Sequence, residues 1–322
     1  MMASQTASGK AFEYALLIAA YERANNGREA RVLKKDGPYE TAKRSFESCS
    51  SDAQEKYSKA ANAAVGHVAA LEPRLENSAG GNDKIVVSVQ PDQAGKDGDI
   101  RDVLVARPGS GWEIGFSAKN QNSAVKHSRL SDKIDFGKEW FGVDCSPQYM
   151  GAACKIFGNV RYMVNESKKD NGRVLLWNEI QGKADKFYVP VLDAFEDEMK
   201  RFMQKGGGIP SLLLEYLLGR KDFYKIMKYD KSVIIQGYNM NGTLNMPSNS
   251  ASAQSKIPSL KSPSRIVDVE RVGKNRMVIM LNHGWQISFR IHNASSRAEP
   301  SLKFDVRLEG MPPDLYSHAE RW

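Results

Sequence analysis

The spacing of apolar residues changes from helical to strand-like along this chain of 322 residues. Helical spacing of alanine, leucine and isoleucine predicts a helix over residues 9–25 and one or two more over residues 38–76. A β-branched run predicts a strand over residues 84–90. The basic segment that begins at residue 123 is predicted to be helical.

Helical spacing returns over residues 141–235. It includes a predicted helix from Pro210 through Met227, since proline is common in the first turn. The run SVIIQGYN then predicts a strand. Residues 241–264 are rich in Ser, Pro and Asn, so they are predicted to form a polar loop. Strict alternation in residues 265–322 predicts an antiparallel β meander.

These patterns divide the chain into three predicted regions. Residues 1–240 form a core with helical insertions, residues 241–264 a Ser/Pro-rich loop, and residues 265–322 a β-rich region. A chain with 41% hydrophobic residues can bury a sizeable core. The predicted fold class is mixed α/β.

A predicted hairpin carries the main candidate chemistry. Asp102 directly precedes the apolar run Val103–Val105, a Pro/Gly/Ser break follows at 108–111, and a second run extends to Lys119. Residues two apart on a strand share a face, so Ser117 and Lys119 should lie side by side. Phosphodiester hydrolysis uses carboxylates that hold a divalent metal and a cation that offsets developing charge. Asp102 and Lys119 therefore predict a metal-dependent phosphodiesterase site.

This predicted site lacks a second carboxylate, because position 117 is a serine that offers only a hydroxyl or a water site. Asp99 is an alternative to Asp102, which is favoured because an apolar strand follows it at once. Glu113 shares a face with Lys119, but six strand residues at about 3.3 Å each separate them by roughly 20 Å. The second carboxylate should therefore come from another element, and the candidates are Glu13 on the first helix, Asp135 and Glu139.

Charge and cysteine content narrow the partner and the compartment. Lysine and arginine outnumber aspartate and glutamate by 46 to 38, giving a net charge of +8 that favours a polyanion such as nucleic acid. The three cysteines are widely spaced, which indicates a reducing cytoplasm rather than a disulfide framework. No export signal or long apolar run is evident, so no membrane partner is expected. A Walker loop, GxSxG, HExxH and paired CxxC motifs are also absent.

Two polar sets are candidates for DNA contact. The first follows Lys119 in the basic segment, and the second lies on the polar face of the alternating C-terminal run. Lysine and arginine bind phosphates, and arginine also reads guanine edges. Each set is also consistent with an ordinary solvated face. The candidates are Asn120, Asn122, Lys126, His127 and Arg129 in the first set and Gln286, Arg290, His292, Asn293 and Lys303 in the second.

Several blocks together resemble the HaeIII-type restriction endonucleases, and the resemblance covers nearly the whole chain. They are GKAFEYA, GDIRDVLVAR, WEIGFSAKN, AVKHSRLS with DFGKEW, and WQISFRIHNASSRAEPSLKFDV. The resemblance implies a PD-(D/E)xK restriction endonuclease-like core, with a mixed central sheet flanked by helices and a C-terminal antiparallel meander. It also implies Mg²⁺-dependent cleavage of double-stranded DNA at GGCC, within the site, leaving 5′-phosphate and 3′-hydroxyl ends.

The resemblance also implies roles for individual residues. Asp102 resembles the motif aspartate and Lys119 the motif lysine, while Ser117 stands where an acid is usual. In related nucleases a glutamate on the first helix often supplies the second carboxylate, which favours Glu13 as the Mg²⁺ ligand beside Asp102. The alternative metal ligands are Asp99 and Asp135.

The implied target also suggests partners. A palindromic site is usually met by a two-fold dimer, which makes a homodimer a candidate assembly. In a restriction-modification system a cognate DNA methyltransferase is the expected functional counterpart. Two other functions stay open at this point: a structure-specific repair or recombination nuclease of the same fold, and a non-catalytic DNA-binding module whose Ser117 marks a decayed site.

Overall fold

The computed structural model describes residues 5–24, 31–76, 84–95, 98–121, 124–206, 208–246 and 257–322. The helices are α1 Gln5–Arg23, α2 Gly37–Glu47, α3 Ser51–Leu71, α4 Phe136–Phe141, α5 Pro147–Asn171, α6 Val189–Lys205 and α7 Ile209–Leu218. The strands are β1 Arg31–Leu33, β2 Ile85–Val89, β3 Val103–Arg107, β4 Trp112–Asn120, β5 Ala124–Leu130, β6 Phe223–Lys228, β7 Ser232–Tyr238, β8 Ile266–Val272, β9 Arg276–Leu281, β10 Gln286–His292, β11 Leu302–Gly310 and β12 Tyr316–Arg321.

The chain forms two compact units, and neither is continuous in sequence. The first comprises Met1–Ser123, Gly219–Lys261 and Asp314–Trp322, and the second comprises Ala124–Leu218 and Ser262–Pro313. This division differs from the predicted regions. Residues 124–218, which we predicted as insertions within the core, belong to the second unit with most of the predicted β-rich region. The last nine residues, 314–322, return to the first unit.

The first unit is built on a seven-stranded mixed sheet in the order β1-β2-β3-β4-β6-β7-β12. The pairs β1/β2 and β4/β6 are parallel, and the others are antiparallel. The predicted β3/β4 hairpin is confirmed, with Val103 opposite Phe116 and Arg107 opposite Trp112. The predicted helices over 9–25 and 38–76 are also confirmed as α1, α2 and α3.

Burial of apolar side chains explains why these elements pack together. Phe12 and Leu16 of α1 are fully buried in one cluster with Val105 and Phe116 of the sheet. Full burial of each large apolar side chain contributes about 1.5–3 kcal/mol. This core fixes α1 and the β3/β4 hairpin in one rigid unit.

The prediction for Phe223–Lys228 was wrong, because this segment is strand β6 rather than the end of a helix. Helix α7 ends at Leu218, and the positive φ of Gly219 (77°) favours glycine there. Every residue of β6 is buried, so the segment shows no alternation that distinguishes it from a buried helix. Strand β7, which we predicted from SVIIQGYN, pairs with it.

The second unit contains a five-stranded antiparallel sheet in the order β5-β11-β10-β9-β8. The predicted meander is confirmed for β8 to β11, whereas β12 leaves it to pair with β7 in the first unit's sheet. The prediction of a basic helix from residue 123 was wrong, because residues 124–130 form β5 against β11. Aromatic residues form the core under this sheet, with the rings of Phe289 and Phe304 5.4 Å apart and those of Phe195 and Phe304 5.2 Å apart.

The predicted polar loop is only partly within the described chain, since residues 247–256 lie outside it. The described part contains no helix or strand. The carboxylate of Asp222 holds its start by accepting hydrogen bonds from the backbone N–H of Met240 (2.7 Å), Asn241 (2.9 Å) and Thr243 (2.8 Å). In the described residues no helix is long and apolar enough to cross a membrane.

Candidate active site

The end of the β3/β4 hairpin brings Asp102 and Lys119 together, as we predicted from their spacing. Strand β3 begins at Val103, opposite Phe116, whereas β4 continues to Asn120. The N–H of Ala118 therefore lies beyond the hydrogen bonds that join β3 to β4. The carboxylate of Asp102 accepts this N–H at 2.7 Å. The Nζ of Lys119 lies 3.7 Å from the same oxygen, and both side chains are about a quarter exposed, at 23% and 25%. The pair is held firmly and is still open to a ligand.

Glu13 of α1 belongs to the same group of charges. Its side chain is buried, and burial together with the negative charge of Asp102 raises the pKa of Glu13 to about 7, against the opposing effect of Lys10 and Lys119. The Nζ of Lys10, one turn earlier, donates to Glu13 (3.0 Å) and to Asp92 (2.6 Å). The charges of Asp102 and Lys119 thus both influence the pKa of Glu13, which makes this carboxylate a candidate to act with them.

The donor set of Glu13 and Asp102 fits a hard divalent cation. Magnesium takes oxygen ligands, commonly one or two carboxylates with waters. Two carboxylates that repel one another in a largely buried setting gain most from a cation between them. Helix α1 thus offers, in Glu13, the second carboxylate that the hairpin alone lacks.

The candidate ligand Asp99 is already engaged by an arginine. Its two oxygens accept from Nε (2.7 Å) and Nη2 (2.6 Å) of Arg101, and Gln90 donates to it at 2.9 Å. Arg101 also contacts Glu113 at 3.1 Å and lies across Gly115, where a Cβ would overlap the arginine side chain. This arrangement makes Asp99 and Glu113 partners of Arg101.

The carboxylate candidates Asp135 and Glu139 lie at the start of α4 in the second unit. Asp135 caps this helix by accepting the N–H of Lys138 (2.9 Å) and of Cys145 (3.1 Å). Burial acts to raise the pKa of Asp135, but hydrogen bonds from the Cys145 side chain and from backbone N–H groups outweigh it and lower this pKa. Its contacts within this unit are those of a helix cap. For Glu139, burial together with the nearby Asp135 raises its pKa.

A buried lysine that the sequence reasoning missed lies opposite Ser117. Ser117 is almost fully buried on β4, and its register partner on the parallel strand β6 is Lys225. The side chain of Lys225 is buried, and burial together with the positive charge of Lys119 lowers its pKa to about 8. A lysine within an all-buried strand was a usable signal, but we had assigned that segment to a helix. Perturbed ionisable groups of this kind cluster at functional sites.

Predicted DNA contacts from both sets meet on one face of the second unit's sheet. Register partners on adjacent strands share a face, and His292, Lys303 and Arg129 form one such row across β10, β11 and β5. In the next row Arg290 contacts Asp305 at 3.1 Å. Arg129 is likewise paired, with Glu299 at 3.1 Å. The face formed by these two rows carries Arg129, Arg290, His292, Lys303 and Asp305, and we call it the polar sheet face.

Gln286 alternates with Arg290 on β10 and lies on the same side as the polar sheet face. Asn293 follows the strand and donates to the backbone carbonyls of Ser295 (2.6 Å) and Arg297 (2.7 Å), so it stabilises a turn. Gln286 is half-buried beside Gly310, and the amide of Asn293 is used internally.

Lys126 does not share the polar sheet face. Its register partner is Val306, and its Nζ donates to the carbonyl of Tyr216 (2.7 Å) and lies 3.6 Å from the centre of that ring. Burial lowers its pKa to about 8. In the first unit, Asn120 donates to the hydroxyl of Tyr57 at 3.2 Å. Asn122 and the side chain of His127 lie outside the described residues.

Comparisons with known proteins find similarity along nearly the whole chain. A family model described as HaeIII restriction endonuclease matches residues 9–312. The type II restriction enzyme HaeIII of Haemophilus aegyptius is 39% identical over 320 residues, which cover 98% of this chain and 97% of that protein. No solved structure matches the chain.

Proposed function

Since the chain belongs to the HaeIII restriction endonuclease family and is a site-specific deoxyribonuclease, we propose that it cleaves double-stranded DNA at GGCC with Mg²⁺ as its cofactor. The inference of a Mg²⁺ cofactor rests on the group of Asp102, Glu13 and Lys119 at the open end of a hairpin. The target rests on the similarity to HaeIII along almost the full length of both chains.

Each residue of the group has a chemical role in this proposal. Asp102 and Glu13 hold the Mg²⁺, which when bound supplies an activated water and offsets charge on the scissile phosphate. The ammonium of Lys119 lies beside Asp102, where it stabilises the negative charge that develops on the phosphate in the transition state. Ser117 contributes a hydroxyl, and the second carboxylate comes from α1.

Lys225 adds a second cation to the proposed site. With serine at position 117 the site has one carboxylate fewer on β4, and Lys225 is the register partner of that serine. Two lysines close to one another make the site more attractive to a phosphodiester anion. We assign Lys225 to substrate binding next to Lys119.

The polar sheet face is the proposed reader of GGCC. Each guanine presents O6 and N7 to an arginine or lysine fork. Arg290 and Arg129 are held by Asp305 and Glu299 in the free protein, which keeps each guanidinium ordered. On cognate DNA each arginine would leave its carboxylate partner and contact a base or a phosphate. Only hydrogen bonds to the correct base would be strong enough to offset the loss of the ion pair.

The remaining partners follow from the target. A palindrome has two equivalent half-sites, so a homodimer would present one catalytic group to each strand. An enzyme that cuts GGCC in its own cytoplasm requires a methyltransferase that modifies the same sequence. Both are proposals about this chain.

Digestion of plasmid DNA tests the function directly. Purified protein is incubated with unmethylated plasmid and Mg²⁺, and the matched controls are EDTA, a plasmid without GGCC, and a plasmid methylated at GGCC. We expect discrete fragments ending at GGCC only in the first reaction. Nicking that follows DNA structure rather than sequence would replace the target with junctions or ends. Intact DNA under conditions where a gel shift shows binding would contradict an active nuclease.

A further inference from the structure

The inward face of the last strand carries ligand-type side chains instead of apolar ones. Among the described strands, β12 lies at the edge of the first unit's sheet and pairs only with β7. Tyr316, His318 and Glu320 are half-buried, whereas the residues between them are exposed. An edge strand of this kind ordinarily turns apolar residues toward the protein. Packing alone therefore does not account for the sequence of β12.

Helix α3 adds a second imidazole to this face. The rings of His67 and His318 stack with centroids 3.8 Å apart and planes 4° apart. The Nε2 of His67 lies 2.6 Å from the hydroxyl of Tyr316, and the Nε2 of His318 lies 2.9 Å from Glu320. One ligand atom from each of His67, His318 and Glu320 lies within 4.8 Å of the other two.

We propose that His67, His318 and Glu320 bind a divalent transition-metal ion, with Zn²⁺ the best match, and that this ion fastens β12 to α3. Two imidazole nitrogens and one carboxylate oxygen are typical zinc ligands, with a water in the fourth position. Mg²⁺ instead selects all-oxygen sites such as that of Asp102 and Glu13. The two sites therefore differ in the metal they take.

The geometry allows the site to close on an ion. Tetrahedral zinc with bonds of about 2.0–2.2 Å places its ligand atoms about 3.4 Å apart. Ligand atoms that now lie within 4.8 Å of one another must therefore approach by up to about 1.4 Å, and one of the two stacked rings must rotate so that both nitrogens face the ion. His318 and Glu320 are 37% and 41% exposed, which leaves them room to rotate.

Calorimetric titration of the full chain with Zn²⁺ tests the proposal. Excess Mg²⁺ occupies the carboxylate site, and the thiols are alkylated first because cysteines also bind zinc. We expect one Zn²⁺ per chain, and His318→Ala and Glu320→Gln should each weaken binding by at least about tenfold. Ser317→Ala, which changes an exposed residue of the same strand, is the matched control and should bind as the wild type does.

Hydrogen exchange of the backbone amides measures whether zinc holds β12 against α3. Zinc should slow exchange of the β12 amides in the wild type and in Ser317→Ala but not in His318→Ala. Circular dichroism without zinc should show that all variants fold. Equal zinc affinity in the wild type and His318→Ala, or no binding at millimolar zinc, would overturn the proposal and leave two ordinary hydrogen-bonded pairs. Zinc binding and GGCC cleavage are tested independently, because neither His67 nor His318 belongs to the proposed catalytic group.

Discussion

Replacing Glu13 with glutamine should make the protein more stable and inactive. The buried carboxylate has its pKa raised from 4.5 to about 7, chiefly by burial and then by Asp102. A raised pKa means that the folded state binds the proton more tightly than the unfolded state does. Stability is therefore highest below the unfolded pKa and falls as pH rises through about 7. Ionised Glu13 thus destabilises the fold in neutral and alkaline solution.

The size of the effect follows from the shift. Each tenfold change in an acid dissociation constant corresponds to about 1.4 kcal/mol of free energy. The rise in the pKa of Glu13 from 4.5 to about 7 therefore corresponds to about 3 kcal/mol of unfolding free energy. Glutamine keeps the shape of the neutral carboxyl group, and the attraction of Lys10 for the ionised group is already included in the pKa of about 7. We expect Glu13→Gln to exceed the wild type by about 1–3 kcal/mol at about pH 8 and to match it at about pH 4.

Urea unfolding in EDTA at the two pH values measures the stability, and digestion in Mg²⁺ measures activity. Glu72→Gln is the matched control. Glu72 is fully buried, accepts the hydroxyl of Tyr224 at 2.6 Å, and has its pKa raised to about 7 by burial. Both variants should be stabilised at alkaline pH, but only Glu13→Gln should lose cleavage by orders of magnitude. Near-normal cleavage by Glu13→Gln would remove Glu13 from the proposed metal site. A variant less stable than the wild type at alkaline pH would refute the electrostatic reasoning.

Three further substitutions separate catalysis, recognition and structure. Lys225→Met should reduce single-turnover cleavage by about a hundredfold and weaken DNA binding, since it removes a cation next to Lys119; unchanged cleavage would remove it from the site. Arg290→Ala should weaken binding to GGCC duplexes by about 1–3 kcal/mol more than binding to other duplexes, as measured by gel shift; equal losses would make it a phosphate contact. Lys126→Met should leave affinity and its salt dependence unchanged, because its ammonium faces Tyr216; a smaller salt slope would return it to the DNA interface.

The parts of the fold that could be predicted were those with a local signal. The β3/β4 hairpin has a turn between two apolar runs, and α1 to α3 have a helical period that tertiary contacts do not override. Asp102 and Lys119 come together because one hairpin contains both. Their proximity needed no knowledge of the rest of the chain.

The missed parts depend on contacts between distant segments. Residues 124–130 contain alanine, lysine and arginine, which favour helices, but pairing with β11 makes them a strand. Strand β6 is buried throughout, so Lys225 was hidden within an apolar run that continues a helical segment. The return of β12 to the first unit leaves no shift in composition that marks it. Glu13 was one of three candidate carboxylates, and only a resemblance favoured it over Asp135 and Glu139, since no local pattern links α1 to the hairpin.

Cleavage of a duplex with a single GGCC site tests the central claim most directly. The wild type, Asp102→Ala and Lys119→Ala are compared for cleavage in Mg²⁺ and for binding in Ca²⁺, with a duplex of altered site as the control. We predict that the wild type in Mg²⁺ cuts within GGCC to leave 5′-phosphate and 3′-hydroxyl ends, and that both variants bind the site in Ca²⁺ without cutting in Mg²⁺. Cleavage that persists in either variant, or equal cutting of the altered duplex, would contradict the account.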